Sequence, residues 1–214
     1  TKLYPVENYG SSMAPFYSTL AMWVGGTILV AMLKVSISES SLKGMKKVRD
    51  YQVYFGRYIV FLLIGLAQST LIGLGDLLYL RIQCEAPLLF MLACWITSLV
   101  YVNVIYTLTV SFGDVGKAIA VILMVIQVAG SGGTFPIEVA PEIFQSVYPL
   151  MPFAHSMAAL RETIGGPYGS TYWTELGYLC IFLIASLFLG LVLRKPIIKL
   201  NEKINEKLES THLI

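Results

Sequence analysis

The sequence predicts an all-α membrane protein with five transmembrane helices and a broken re-entrant hairpin at one membrane face, and three observations lead there. The 214 residues are 56% hydrophobic and only 13% charged, where a soluble domain carries about a quarter charged residues; the mean hydropathy is +0.71. Four apolar stretches reach the roughly 20 residues that a helix needs to cross about 30 Å of hydrocarbon. Lysine and arginine, finally, crowd into alternate connecting segments. A soluble helical chain of this size could not bury enough surface to be so apolar.

The elements follow in chain order. Residues 1–13 precede the first apolar stretch, residues 14–33. The chain opens at Thr1 without a methionine and lacks a basic, apolar, small-residue signal, so it reads as the C-terminal part of something longer. Residues 36–57 place Leu42, Met45 and Val48 at i, i+3 and i+6 among Lys43, Lys46, Lys47 and Arg49. This pattern predicts a short amphipathic helix at the cytoplasmic face, either a basic element that fixes topology or a docking element for a cytoplasmic partner.

The second stretch covers residues 58–79. Asp76 lies near its end, flanked by Gly73 and Gly75. An ionisable group at membrane depth is a functional candidate; the structural alternative is that it reaches headgroup water or pairs with Arg81. The third stretch covers residues 88–110, and the fourth, residues 115–130, is short: about 16 residues span about 24 Å, so another segment must complete the crossing.

Residues 131–166 are the natural candidate. Gly132, Gly133, Pro136, Pro141, Pro149, Pro152 and Gly165-Gly166 punctuate a largely apolar segment, which rules out one continuous helix. Two short helices are expected, near residues 141–148 and 153–164, in a hairpin that dips into the outer leaflet beside the short span. His155, Arg161 and Glu162 add polarity there; a single histidine without a nearby carboxylate reads as a packing residue. The last stretch covers residues 176–193, and the tail, 195–214, carries Lys199, Lys203 and Lys207 on one stripe and Ile197, Leu200, Ile204 and Leu208 on another, a juxtamembrane amphipathic helix suited to anionic lipid or a partner.

Orientation follows from charge. With residues 1–13 outside, the inner segments hold twelve of the fifteen Lys and Arg residues, leaving Lys2, Arg81 and Arg161 outside. Basic residues are retained in the cytoplasm, so the N-terminus is expected outside the cell and the C-terminus inside, in the plasma membrane. Tyr17, Trp23, Tyr51, Tyr54, Tyr58, Tyr172 and Trp173 are expected at the interfaces. Gly25-Gly26, Gly73, Gly75, Gly113 and Gly116 offer close approach between helices.

Cys84, Cys94 and Cys180 are too widely spaced for a disulfide framework or a metal site. The chain contains no phosphate loop, no zinc-binding HExxH helix and no serine-nucleophile elbow. An enzyme is therefore not expected, nor a cofactor, a metal or a nucleic-acid partner. Any energised work would draw on another chain or on the membrane gradient.

The run VAGSGGTFPIEVAPEIFQSVYPLMPFAHSMAALRETIGG (residues 128–166), followed by a last span and a basic tail, resembles the C-terminal membrane region of the YhgE/Pip family, within the wider ABC-2-type permease fold. The opening VENYGSSMAPFYSTLAMWVGG (residues 6–26) is similar to the same family's second membrane helix. The resemblance implies a first helix and a large extracellular region ahead of this chain, which would supply the last five helices of six; residues 1–13 would end that ectodomain. It also implies that residues 36–57 form a coupling helix touching a separate ATPase, and that residues 131–166 are re-entrant outer helices. Two functions follow. One is an export permease in which two copies pack together as a homodimer and move a lipid-like or amphipathic substrate along their interface. The other is a membrane anchor for an extracellular stalk, as in the phage-infection proteins and the related type VII secretion components of Gram-positive bacteria.

Overall fold

A computed structural model describes residues 6, 8–35, 49–133 and 136–193. Most of the basic loop, with Lys43, Lys46 and Lys47, and the tail from 194 onward lie outside the described residues, as do Thr134 and Phe135.

Five long helices alternate in direction. Helix α1 (Tyr9–Met32) starts where the Asn8 side chain accepts a hydrogen bond from the Ser11 N–H at 2.9 Å, a side-chain cap for an otherwise orphaned donor. Helix α2 (Asp50–Leu74) returns and widens into a π-helical turn, Gly75–Tyr79. Helix α3 (Pro87–Phe112) opens with proline in its first turn, where no N–H is needed. Helix α4 (Asp114–Gly130) follows after one residue, and helix α7 (Thr171–Phe188) ends in a second π-helical turn, Leu189–Leu193. Between α4 and α7 lie the short helices α5 (Glu142–Val147) and α6 (Pro152–Gly165), joined by a single 3-10 turn, Tyr148–Leu150. Among the described residues there is no strand.

Among the described residues four helices are long and apolar enough to cross a membrane: Tyr9–Met32, Tyr51–Tyr79, Pro87–Phe112 and Thr171–Val192. Helix α4, with 17 residues, falls short of them. The bundle thus has a hairpin end, where α5, α6 and the loop before α3 gather, and a loop end, where α1 stops and α2 begins.

Helix α3 is the centre. It packs against α1, α2, α4, α6 and α7, and Phe90, Ala93, Cys94, Val100, Tyr101 and Ile105 are sealed from any surroundings. By contrast only 17% of the apolar stretch of α7 is buried, against 56% for α3, which leaves α7 on the outside of the bundle. The turn into α4 is one residue long because Gly113 adopts φ 62°, a backbone state that costs side-chain-bearing residues free energy. Three residues on, a Cβ on Gly116 would run into the Leu108 carbonyl, so α4 lies directly on the α3 backbone.

Several aromatic residues expected at the interfaces are interior instead. Trp23 is wholly buried, donates its indole N–H to the Ala120 carbonyl at 3.1 Å and meets the Tyr101 ring edge to face. Tyr54, Tyr58 and Tyr172 are also buried; Tyr17, Tyr51 and Trp173 stay exposed. The reason is hydrogen bonding: a tyrosine or indole whose polar tip finds an acceptor inside can bury its whole ring. Tyr54 donates to or accepts from Thr107 at 2.6 Å and reaches Asn103 at 3.1 Å, and Tyr172 donates to the Leu89 carbonyl at 2.7 Å.

Candidate functional site

The hairpin end is built around α6. Pro152 leaves one fewer donor at its start, and the Gln127 side chain of α4 accepts the next, the Phe153 N–H, at 3.2 Å. Phe153 and Met157 then pack on Met13 and Phe16 of α1, and the Phe16 ring lies where a Cβ on Gly133 would have to go. At its other end the Thr163 carbonyl accepts the Glu85 and Ala86 N–H groups, each at 3.1 Å, and the Gln83 N–H donates to the Ser11 hydroxyl at 2.9 Å. The hairpin is therefore stitched to α1 and to the start of α3. It was expected beside α4; α5 does meet the end of α4, with the Phe144 ring over Gly130, but α6 packs chiefly on α7, α1 and α3.

Arg161 reaches across the hairpin and donates from one guanidinium nitrogen to the Gly132 and Gly133 carbonyls at 3.2 and 3.5 Å. It borders an open cavity of about 510 Å³ with Tyr9, Ser12, Pro136, Glu138 and Tyr148. Burial lowers its pKa from the ordinary guanidinium value, with the Tyr148 phenol acting the other way; it stays cationic. Pro141 and Pro149 start or interrupt short helices, and Pro136 precedes the 3-10 turn Ile137–Val139.

His155 does have a carboxylate beside it, contrary to the sequence reading. Its Nδ1 lies 2.6 Å from Glu175 of α7, and its Nε2 lies 3.0 Å from the Pro149 carbonyl. The 20-residue separation hid the pair, because the link forms only when α6 folds back on α7. Burial pulls the imidazole pKa down, but the Glu175 and Pro149 acceptors outweigh it and the net shift is upward.

Asp76 is buried on the π-helical turn of α2 and accepts a hydrogen bond from the Ser18 hydroxyl of α1. Arg81, the expected partner, forms no ion pair with it among the described residues. Ser18 was missed because a serine ten residues into an apolar helix carries no signal of its own. Among the described residues no cluster of metal-ligating side chains forms.

At the loop end the Arg57 Nε donates to the Lys34 carbonyl at 2.7 Å; residues 50–57, expected in the basic loop, belong to α2, so this bond ties α2 to the segment that follows α1. Arg49 is the residue before α2, and its backbone N–H donates to the Gln52 side chain at 2.9 Å. A cavity of about 350 Å³ lies alongside, between the end of α1 and the α3–α4 turn, with Lys34, Asp114 and Lys117 on its lining.

Residues 1–192 match the family described as ABC-2 family transporter protein. The chain is also 28% identical over 177 residues to the uncharacterized protein YhgE of Bacillus subtilis (strain 168), an alignment covering 83% of this chain and 22% of that protein. It thus spans about a fifth of the length of the curated relative it matches. No solved structure matches. With an all-helical bundle, several helices long enough to cross a bilayer and a family match over nearly its whole length, the chain belongs to the ABC-2 transporter family as one of its membrane domains.

Proposed function

We propose that this chain is the membrane half of an exporter powered by a separate ATPase, working as a homodimer in the plasma membrane with the hairpin end outside and the loop end in the cytoplasm. The observation that carries the reading is the asymmetry of the bundle. One end is closed by α5, α6 and the loop before α3, while at the other Arg57 of α2 holds the Lys34 carbonyl just after α1, beside a cavity at the one-residue α3–α4 turn. A partner that pulls on residues 36–57 would act there directly on α1 and α2. Charge reversal of Lys43, Lys46, Lys47 and Arg49 in the full-length protein, followed by crosslinking and mass spectrometry, tests it. Loss of a crosslinked nucleotide-binding chain together with export supports the reading; export and crosslinking both unchanged would reject it.

A second reading is favoured by one fact: the matched region is 22% of the YhgE protein, so the relative consists mostly of something else. On that reading the helices anchor an extracellular stalk that serves secretion or phage attachment. Replacing them with an unrelated multi-helix anchor separates the two, since a stalk would keep working and an exporter would stop.

A further inference from the structure

Asp76 and Ser18 form the floor of a groove of about 370 Å³ between α1 and the π-helical turn of α2. Its walls are Tyr17, Ala21, Leu71, Ile72 and Tyr79, and Tyr17, Leu71 and Tyr79 are strongly exposed, so the groove opens on the outside of the bundle. An ionised carboxylate offers about four acceptor positions. Among the described residues the Ser18 hydroxyl is the only hydrogen-bond donor the carboxylate has, and no lysine or arginine pairs with it. A charge at this depth is costly without a partner. π-helical turns recur at functional sites, and this one turns the carboxylate toward a cavity.

We propose that the groove binds an amphiphile with an ammonium head: the head against Asp76 and Ser18, the aliphatic chain along Ala21, Leu71 and Ile72. The chemistry selects that class. An anionic head would meet a like charge, and an alcohol would leave the carboxylate uncompensated. Calcium needs six to eight oxygen ligands and magnesium about six, far more than one carboxylate and one hydroxyl supply. The Tyr17 and Tyr79 rings at the mouth add faces that attract cations. The binding site stands on this geometry alone, whereas its role as a substrate site rests on the exporter reading.

The test uses full-length protein in detergent with radiolabelled dodecylamine. Saturable binding that dodecanol fails to displace is expected. Asp76→Asn should weaken it by about tenfold or more. Gly75→Leu is expected to give the same loss with the carboxylate intact, because Gly75 lines the groove and a Cβ there meets no protein atom within 4 Å; it also keeps the test open should the Asp76 variant fail to fold. Displacement by phosphatidylethanolamine but not phosphatidylglycerol would make the natural occupant a membrane lipid, and displacement by single-chain amines alone would make it a free amphiphile. Equal displacement by dodecanol, or unchanged binding in both variants, would overturn the proposal. Intact binding without ATP-dependent movement of dodecylamine in proteoliposomes that contain the ATPase would instead reject the exporter reading and leave the site standing.

Discussion

His155 and Glu175 join α6 to α7 through a 2.6 Å contact from Nδ1 to the carboxylate, and the other ring nitrogen faces the Pro149 carbonyl at 3.0 Å. Both nitrogens thus face acceptors. A neutral imidazole can donate from only one of them, whereas the imidazolium donates from both, so the geometry favours the charged ring.

That gives stability a pH dependence of definite sign. The folded pKa lies above the ordinary 6.5, so the link contributes fully below that value and is lost as pH rises through the raised folded pKa. Differential scanning fluorimetry in detergent should show the melting temperature falling above pH 6.5 by a step that His155→Gln abolishes. At pH 6, Glu175→Gln should cost about 1.5–3 kcal/mol, as expected for a hydrogen bond to a charged group. A pH profile unchanged by both substitutions would mean that the pair is not ionised.

Two glycines should respond oppositely to alanine. Gly116→Ala drives a methyl group into the Leu108 backbone, which cannot step aside, and should cost about 1–3 kcal/mol. Gly75→Ala meets nothing within 4 Å in a helical backbone and should be neutral or stabilising by up to about 1 kcal/mol. Thermal unfolding of the two variants side by side checks this.

Trp23 anchors three helices at once. Trp23→Ala should destabilise by about 3–5 kcal/mol through the volume lost, while Trp23→Phe, which gives up chiefly the bond to the Ala120 carbonyl, should cost about 1 kcal/mol. Similar losses for both would show that the hydrogen bond, rather than the packing, dominates.

Tyr54, Asn103 and Thr107 form a buried polar network between α2 and α3. A double-mutant cycle between Tyr54→Phe and Asn103→Ala should return a coupling of about 0.6–1.7 kcal/mol, the range for hydrogen bonds between membrane helices. Additive losses would mean that the Tyr54–Asn103 bond adds nothing to stability.

What could be read in advance was what depends on composition and local period. Apolar length pointed to the long helices, although α2 begins at Asp50, eight residues before the apolar stretch read for it, and the prolines at 141, 149 and 152 announced breaks in the helix because proline cannot donate inside one. The contacts were hidden. Trp23 and Tyr54 have the residue types of interfacial anchors, and only the acceptors supplied by Ala120 and Asn103 make them core. Gln127, which caps α6 from another helix, looked like any polar residue in an apolar run. Such partners are 26 to 97 positions apart in sequence, beyond the reach of any local pattern.

The central place of α3 bears on how the protein is made. Its Asn103 accepts from Tyr54 on a helix synthesised earlier, but its amide N–H donates to Ser186, which lies 83 positions further along the chain. During biosynthesis α3 therefore enters the bilayer with one polar group still waiting for α7. A ribosome-bound chain stopped before residue 186 should hold α3 loosely, open to crosslinking by lipid probes or an insertion chaperone, and completion of α7 should close that window. A helix synthesised well after α3 is thus the one that locks the central helix in place.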